Sequence, residues 1–112
     1  MQQITTDQQL RAAVDESREH PVVLFKHSTT CPISAAAYRE VNAFFARQVA
    51  PVYLVRVIED RPVAQSITAQ FGIRHESPQV LVLRNQQVIW NASHRRVTAD
   101  ALEEALSTEN TL

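Results

Sequence analysis

Three short apolar runs constrain the fold of this chain more than any other feature. They are Val-Val-Leu-Phe at 22–25, a segment rich in β-branched residues at 52–58, and Val-Leu-Val-Leu at 80–83. A continuous apolar run of this length is typical of a strand that is covered on both faces. The segments between these runs carry apolar residues at helical spacing, so the sequence predicts an α/β fold with a central sheet.

Helical spacing predicts four helices, at residues 6–17, 32–48, 62–71 and 98–107. Thr6 and Gln9 form a capping box for the first, Gly72 can end the third in the left-handed conformation, and Thr98 caps the last. A run at 88–90 follows the third strand after only four residues, which predicts a hairpin. The predicted order is therefore α-β-α-β-α-β-β-α, with a four-stranded mixed sheet flanked by helices.

Length and composition predict one domain, residues 1–112. The chain has 112 residues, of which 45% are apolar, and a formal net charge of -1. No excess of positive charge draws it to nucleic acid or to an anionic membrane. No apolar run approaches the ~18 residues of a membrane span, and the first residues lack the basic and apolar parts of a signal peptide. We therefore expect a cytoplasmic protein without a nucleic-acid or membrane partner.

The single cysteine, Cys31, excludes an internal disulfide and an all-cysteine metal site within one chain. It follows the first predicted strand and begins the longest predicted helix, at the sheet edge where open α/β folds bind ligands. The backbone N–H groups of Ile33 and Ser34 favour negative charge on sulfur there, and the Ser34 hydroxyl is a further donor. Lys26 or His27 could add positive charge.

Other interpretations of these residues stay open at this point. Cys31 could be a small apolar residue of the core, although its polar surroundings favour a reactive thiol. The four histidines show no metal-ligand spacing with the cysteine, so we predict no metal site. Arg95 and Arg96 are either an anion contact or a solvated turn.

Several segments together resemble the monothiol bacilliredoxins, also called the YtxJ family, within the thioredoxin-like superfamily. They are His-Ser-Thr-Thr-Cys-Pro-Ile-Ser at 27–34, Arg-Pro-Val at 61–63, His-Glu-Ser-Pro-Gln at 75–79, and the stretch from Trp90 to His94. The similarity covers nearly the whole chain. It implies a thioredoxin-like fold and a cis Ser77–Pro78 bond that faces the cysteine, whereas the base rate for an X-Pro bond favours trans. It also implies that the backbone around Ser77 holds a substrate strand.

The resemblance further implies an activity on proteins whose thiols are capped by bacillithiol. The Cys31 thiolate attacks the bacillithiol sulfur and frees the protein thiol, and a second small thiol or a flavoprotein disulfide reductase completes the cycle. Bacillithiol is then a co-substrate, and no cofactor is tightly bound. The implied catalytic residues are Cys31 and Ser34. The implied substrate contacts are Thr30, Pro32, Ile33, Ser77, Pro78 and His94.

Two other functions remain as alternatives to this enzyme. One is a non-catalytic thioredoxin-like binding or stress-response module with a redox-sensing cysteine. The other is an iron–sulfur carrier bridged by two subunits, which Pro32 disfavours because it stiffens the approach to sulfur. A cysteine at a helix start, combined with Ser-Pro before a neighbouring strand, favours the enzyme.

Overall fold

The computed structural model describes residues 1–30 and 32–110, with side chains up to residue 107. Along the chain the elements are β1 (Gln2–Gln3), α1 (Asp7–Glu16), β2 (Val22–His27), α2 (Pro32–Ala46), β3 (Val52–Arg56), α3 (Arg61–Phe71), β4 (Gln79–Arg84), β5 (Gln87–Ser93), a 3-10 helix (His94–Arg96) and α4 (Ala99–Asn110). Among the helices in these ranges, none has the length and apolar character needed to cross a membrane.

The sheet has five strands in the order β1-β3-β2-β4-β5, so the predicted count of four is wrong. β1 and β3 are parallel, as are β3 and β2, and the remaining neighbours are antiparallel. The missed strand, β1, precedes α1 and changes the predicted element order at its start. Its two residues, Gln2 and Gln3, are polar and exposed, and a strand this short carries no alternation that a sequence pattern could reveal.

Capping residues set the ends of the helices as the sequence predicts. Thr6 Oγ1 accepts a hydrogen bond from the Gln9 backbone N–H at 3.1 Å, and Gln9 Oε1 accepts one from the Thr5 N–H at 2.7 Å. The capping box therefore closes on the residue before the N-cap. Gly72 ends α3 with φ 67°, and Thr98 Oγ1 accepts from the Ala101 N–H at 3.1 Å.

Two apolar cores lie on opposite faces of the sheet. Because successive side chains of a strand point to opposite faces, β2 contributes Val23 and Phe25 to the core that includes helices α2 and α4. The same strand contributes Val22 and Leu24 to the core that includes α1 and α3. All six residues of β2 are buried, so its continuous apolar run reflects a central strand with helices on both sides.

The β4–β5 hairpin turns through Asn85 and Gln86, and α1 holds this turn in place. Both residues have positive φ, 53° and 64°, which is the geometry of a type I′ turn that matches the twist of the strands. The Asn85 N–H donates to the Ser17 carbonyl at 2.7 Å, and the Gln86 N–H donates to Ser17 Oγ at 2.9 Å. Arg84 Nη1 donates to the same carbonyl at 2.9 Å. These bonds compensate for a turn that lacks the favoured glycine.

Candidate active site

The segment between β2 and α2 carries the predicted nucleophile. Cys31 itself lies outside the described residues. Its neighbours in the chain, Thr30 and Pro32, are exposed, and the Ile33 side chain is 37% exposed. These three predicted substrate contacts therefore belong to the surface around the start of α2.

Ser34 lies in the first turn of α2 and is fully buried. Its Oγ accepts a hydrogen bond from the Ser28 backbone N–H at 3.1 Å, and Ser28 Oγ lies 3.1 Å from Thr30 Oγ1. These contacts attach Ser28, the first residue after β2, to the first turn of α2. Because the Ser34 oxygen is the acceptor, its hydroxyl hydrogen can still be donated to another group. The predicted donation from Ser34 to the sulfur of Cys31 stays a prediction.

Ser77 and Pro78 lie at the sheet edge where β2 ends. β2 and β4 are antiparallel neighbours, and Lys26 near the end of β2 pairs with Gln79 at the start of β4. The Ser77–Pro78 peptide bond, just before Gln79, is cis, and Pro78 is buried. The backbone order thus brings Ser77–Pro78 beside the segment that leaves β2.

The polar groups of Ser77 have no partners within residues 1–30 and 32–110. Its Oγ is buried without a hydrogen bond, and neither its backbone N–H nor its C=O bonds to another backbone group. Buried polar groups are usually hydrogen-bonded, and the exceptions call for an explanation. Ser77 therefore has a donor and acceptors for a partner from outside the described residues.

His94 is joined to the same segment from the other side. Its backbone N–H donates to the Pro78 carbonyl at 2.9 Å, and its Nε2 lies 2.8 Å from Glu76 Oε2. The hydrogen bond from His94 is the main reason that the pKa of the Glu76 carboxyl is lowered from its usual value. His94 has φ 57° and a side chain that is 48% exposed.

A surface groove of about 490 Å³ collects several of the predicted contacts. Pro32 and Ile33 from α2 line one side, and His94 and Arg95 from the 3-10 helix line the other. Pro78 is joined to this groove by the hydrogen bond from His94 to its carbonyl, and Ser77 precedes it in the chain. Three predicted contacts thus share one groove, while Thr30 does not line it.

Comparison with known families identifies the family of this chain. Residues 2–102 match the family described as "Monothiol bacilliredoxin BrxC". The chain belongs to the monothiol bacilliredoxin family. Family membership and the fold described above support a thiol oxidoreductase.

Solved structures agree with the fold of this bacilliredoxin. One protein described as having a thioredoxin fold is 30% identical with a TM-score of 0.86, and the match covers 93% of this chain and 91% of that one. Fasciola hepatica thioredoxin is 14% identical with a TM-score of 0.77, covering 96% and 98%. Mitochondrial thioredoxin 3 of Saccharomyces cerevisiae is 14% identical with a TM-score of 0.74, covering 96% and 94%. At such low identity the two thioredoxins show similarity of fold alone.

Near the end of β2 this bacilliredoxin has a buried lysine, which the sequence suggests only as a source of positive charge. Lys26 is fully buried, and its Nζ donates to Gln79 Oε1 at 2.8 Å. Gln79 Nε2 donates in turn to the Arg74 carbonyl at 3.1 Å. Burial lowers the pKa of Lys26 from 10.5 to about 8, against the opposing charge of Glu76. A lysine inside a continuous apolar strand is the sequence signal that could have identified this pair.

His27 is a poor source of positive charge at neutral pH. Its ring packs against both Phe25 and Tyr38, with centroid distances of 5.4 and 5.1 Å, and its Nδ1 is buried without a partner among the described residues. Burial lowers the pKa of His27 from its ordinary value, more than the charge of Glu59 raises it. Of the two cations considered from the sequence, Lys26 is the one that is largely charged at neutral pH. In the ranges 1–30 and 32–110, no three His, Cys, Asp or Glu side chains are grouped as metal ligands.

Proposed function

We propose that this protein is a monothiol disulfide oxidoreductase that removes bacillithiol from mixed disulfides on cytoplasmic proteins. Cys31 is the nucleophile, and Ser34 donates to its thiolate. The observation that carries the proposal is Ser77, whose hydroxyl, N–H and carbonyl have no partners among residues 1–30 and 32–110 and lie next to Pro78 at the edge where β2 ends. An unpaired backbone N–H and C=O at a sheet edge suit pairing with an extended substrate.

The reaction is a thiol–disulfide exchange in two steps. The Cys31 thiolate attacks the bacillithiol sulfur of the mixed disulfide, the old S–S bond breaks, and the protein thiolate leaves with the electron pair. A Cys31–bacillithiol disulfide remains. A second bacillithiol thiolate then attacks the bacillithiol sulfur of that disulfide, which returns reduced Cys31 and forms bacillithiol disulfide. A flavoprotein disulfide reductase supplies the electrons that reduce this product.

The chain supports the monothiol form of this reaction because it has no second thiol. Cys31 is its single cysteine, and the hydroxyl of Ser34 cannot carry out thiol exchange. No thiol of the same chain can therefore attack the Cys31–bacillithiol disulfide, and an external small thiol must reduce it. The substrate segment lies in the groove between α2 and the 3-10 helix, where Pro32, Ile33 and His94 contact it.

The direct test uses a cysteine peptide capped with bacillithiol and compares wild-type protein with Cys31→Ser. We expect wild type to release the free peptide and to carry a bacillithiol adduct in the intact mass spectrum, and Cys31→Ser to do neither. The matched control is Ile89→Ser on the far edge strand β5, where the side chain is 42% exposed and outside the proposed site. Ile89→Ser should retain wild-type turnover.

Two results would contradict this assignment in different ways. Equal turnover by wild type and Cys31→Ser would remove Cys31 from the reaction. An adduct on Cys31 without repeated turnover in the presence of excess bacillithiol would favour the redox-sensing module. Parallel reactions with a glutathione cap show which small thiol the protein prefers.

A further inference from the structure

A second cavity lies on the other side of the β2 edge, against α3. It has a volume of about 630 Å³, which is within the range of small-molecule sites. Val57 and Ile58 line it from the β3–α3 connection, Arg61 and Ala64 line it from α3, and His75 lines it from the segment that leads to Pro78. The function proposed above makes no use of these side chains.

The cavity borders the proposed site through two links. The Val57 backbone N–H donates to the carbonyl of His27, the last residue of β2, at 3.0 Å. His75 is two residues before Ser77 in the chain, which limits their Cα separation to about 7 Å. A molecule whose sulfur reacts at the β2 edge can therefore extend into this cavity.

Among the described residues that line the cavity, Arg61 carries a permanent positive charge and no side chain is acidic. Neighbouring acids are already engaged, since Glu59 and Asp60 both lie near Arg56, at 3.8 and 3.2 Å. The Arg61 side chain forms no ion pair or hydrogen bond within the described ranges. Its guanidinium is thus available to a ligand.

His75 adds a neutral donor to this arginine. Burial first, then the charge of Lys26 and last that of Arg61 lower the pKa of His75 from its ordinary value, and the charge of Glu76 opposes them. The cations are thus close enough to His75 to affect its protonation. A neutral imidazole has one N–H to donate, and the imidazole of His75 has no hydrogen bond among the described residues.

We propose that Arg61 and His75 form a binding subsite for the carboxylate of the small thiol that caps the substrate. Arg61 binds the carboxylate through charge-assisted hydrogen bonds, for which the planar guanidinium is well shaped. His75 donates a further hydrogen bond, and Val57, Ile58 and Ala64 form apolar walls beside the pair. The subsite deepens the proposed function and rests on it, because it selects which cap Cys31 removes.

The test compares two caps on one neutral peptide. Bacillithiol carries carboxylates, and 2-mercaptoethanol carries none. The measured quantity is the preference, defined as kcat/KM for the bacillithiol cap divided by kcat/KM for the 2-mercaptoethanol cap. We expect Arg61→Gln to lower this preference about tenfold, as loss of a charge-assisted hydrogen bond predicts, and Arg61→Lys to restore part of it.

The matched control is Arg11→Gln, which removes the same charge from an exposed position on α1 and outside this cavity. It should keep the wild-type preference. An unchanged preference in Arg61→Gln would overturn the subsite. This includes an equal loss of kcat/KM on both caps, which leaves the preference unchanged and means that Arg61 acts on the peptide rather than on the small thiol.

A binding measurement without chemistry separates this inference from the proposed function. In Cys31→Ser protein, reduced bacillithiol should shift the backbone amide resonances of Arg61 and His75, and 2-mercaptoethanol should not. Absence of the shift would refute the subsite even if wild type is active. Presence of the shift with no turnover by wild type would refute the proposed function alone.

Discussion

Replacement of Lys26 by methionine tests whether a charge is buried in β2. Lys26 is the only lysine of the chain, and its burial lowers its pKa from 10.5 to about 8. Between these pH values the folded protein binds fewer protons than the unfolded chain, so the free energy of unfolding must rise with pH. The penalty is fully present below pH 8 and disappears as the pH approaches 10.5.

The size of the effect follows from the same two pKa values. The drop from 10.5 to about 8 corresponds, at about 1.4 kcal/mol per pH unit, to about 3 kcal/mol over the whole range. Between pH 7 and pH 9.5, linkage gives a gain of about 2 kcal/mol. Lys26→Met has no amine to titrate, and its side chain is similar in size, so it should not show this gain.

Urea unfolding of both proteins at half-unit steps from pH 7 to pH 9.5 measures the difference. Other groups titrate in both proteins and cancel when one curve is subtracted from the other. Arg11→Met, which removes an exposed cation, should give a flat difference over the same range. A flat difference for Lys26→Met as well would refute the argument that the amine is desolvated. An NMR titration of the Lys26 side chain then locates its pKa directly.

Three further outcomes follow from the contacts described above. Ser34→Ala should raise the thiol pKa of Cys31 by up to about one unit, which the pH dependence of iodoacetamide alkylation measures; an unaltered profile would remove Ser34 from the site. Tyr53 donates to Glu16, and burial raises the pKa of Tyr53 from 10.0 to about 12. Wild type should therefore lose stability between pH 10 and 12, and Tyr53→Phe should lack this loss. Leu102→Ala, at a fully buried position of α4, should cost about 2–5 kcal/mol in denaturant unfolding, and a cost below about 1 kcal/mol would contradict its place in the core.

The sequence predicted the helices and the inner strands because each carries its own local signal. The Gly72 and Thr98 caps and the apolar spacing of α1 to α4 are properties of a few consecutive residues. β1 is different, because its place in the sheet depends on pairing with Tyr53 and Leu54, about fifty positions later in the chain. No pattern within two glutamines expresses that pairing.

The sequence supplies candidate residues for the site but not their arrangement. Ser34 is a candidate from its place beside Cys31, and Ser77 and His94 come from the family resemblance, but the groove shared by Pro32, Ile33 and His94 depends on how the 3-10 helix packs against α2. The Lys26–Gln79 hydrogen bond joins strands that are distant in sequence. Such contacts follow from the register of β2 and β4, which the sequence alone did not determine.

The hydrogen bonds between Ser17 and the β4–β5 turn couple the motion of two segments that are distant in the sequence. Hairpin tips usually fluctuate on their own, because their amides face water. Here the amides of Asn85 and Gln86 are both held by Ser17 at the end of α1. The tip cannot peel away without releasing that helix end, so an early segment and a late one form a single opening unit.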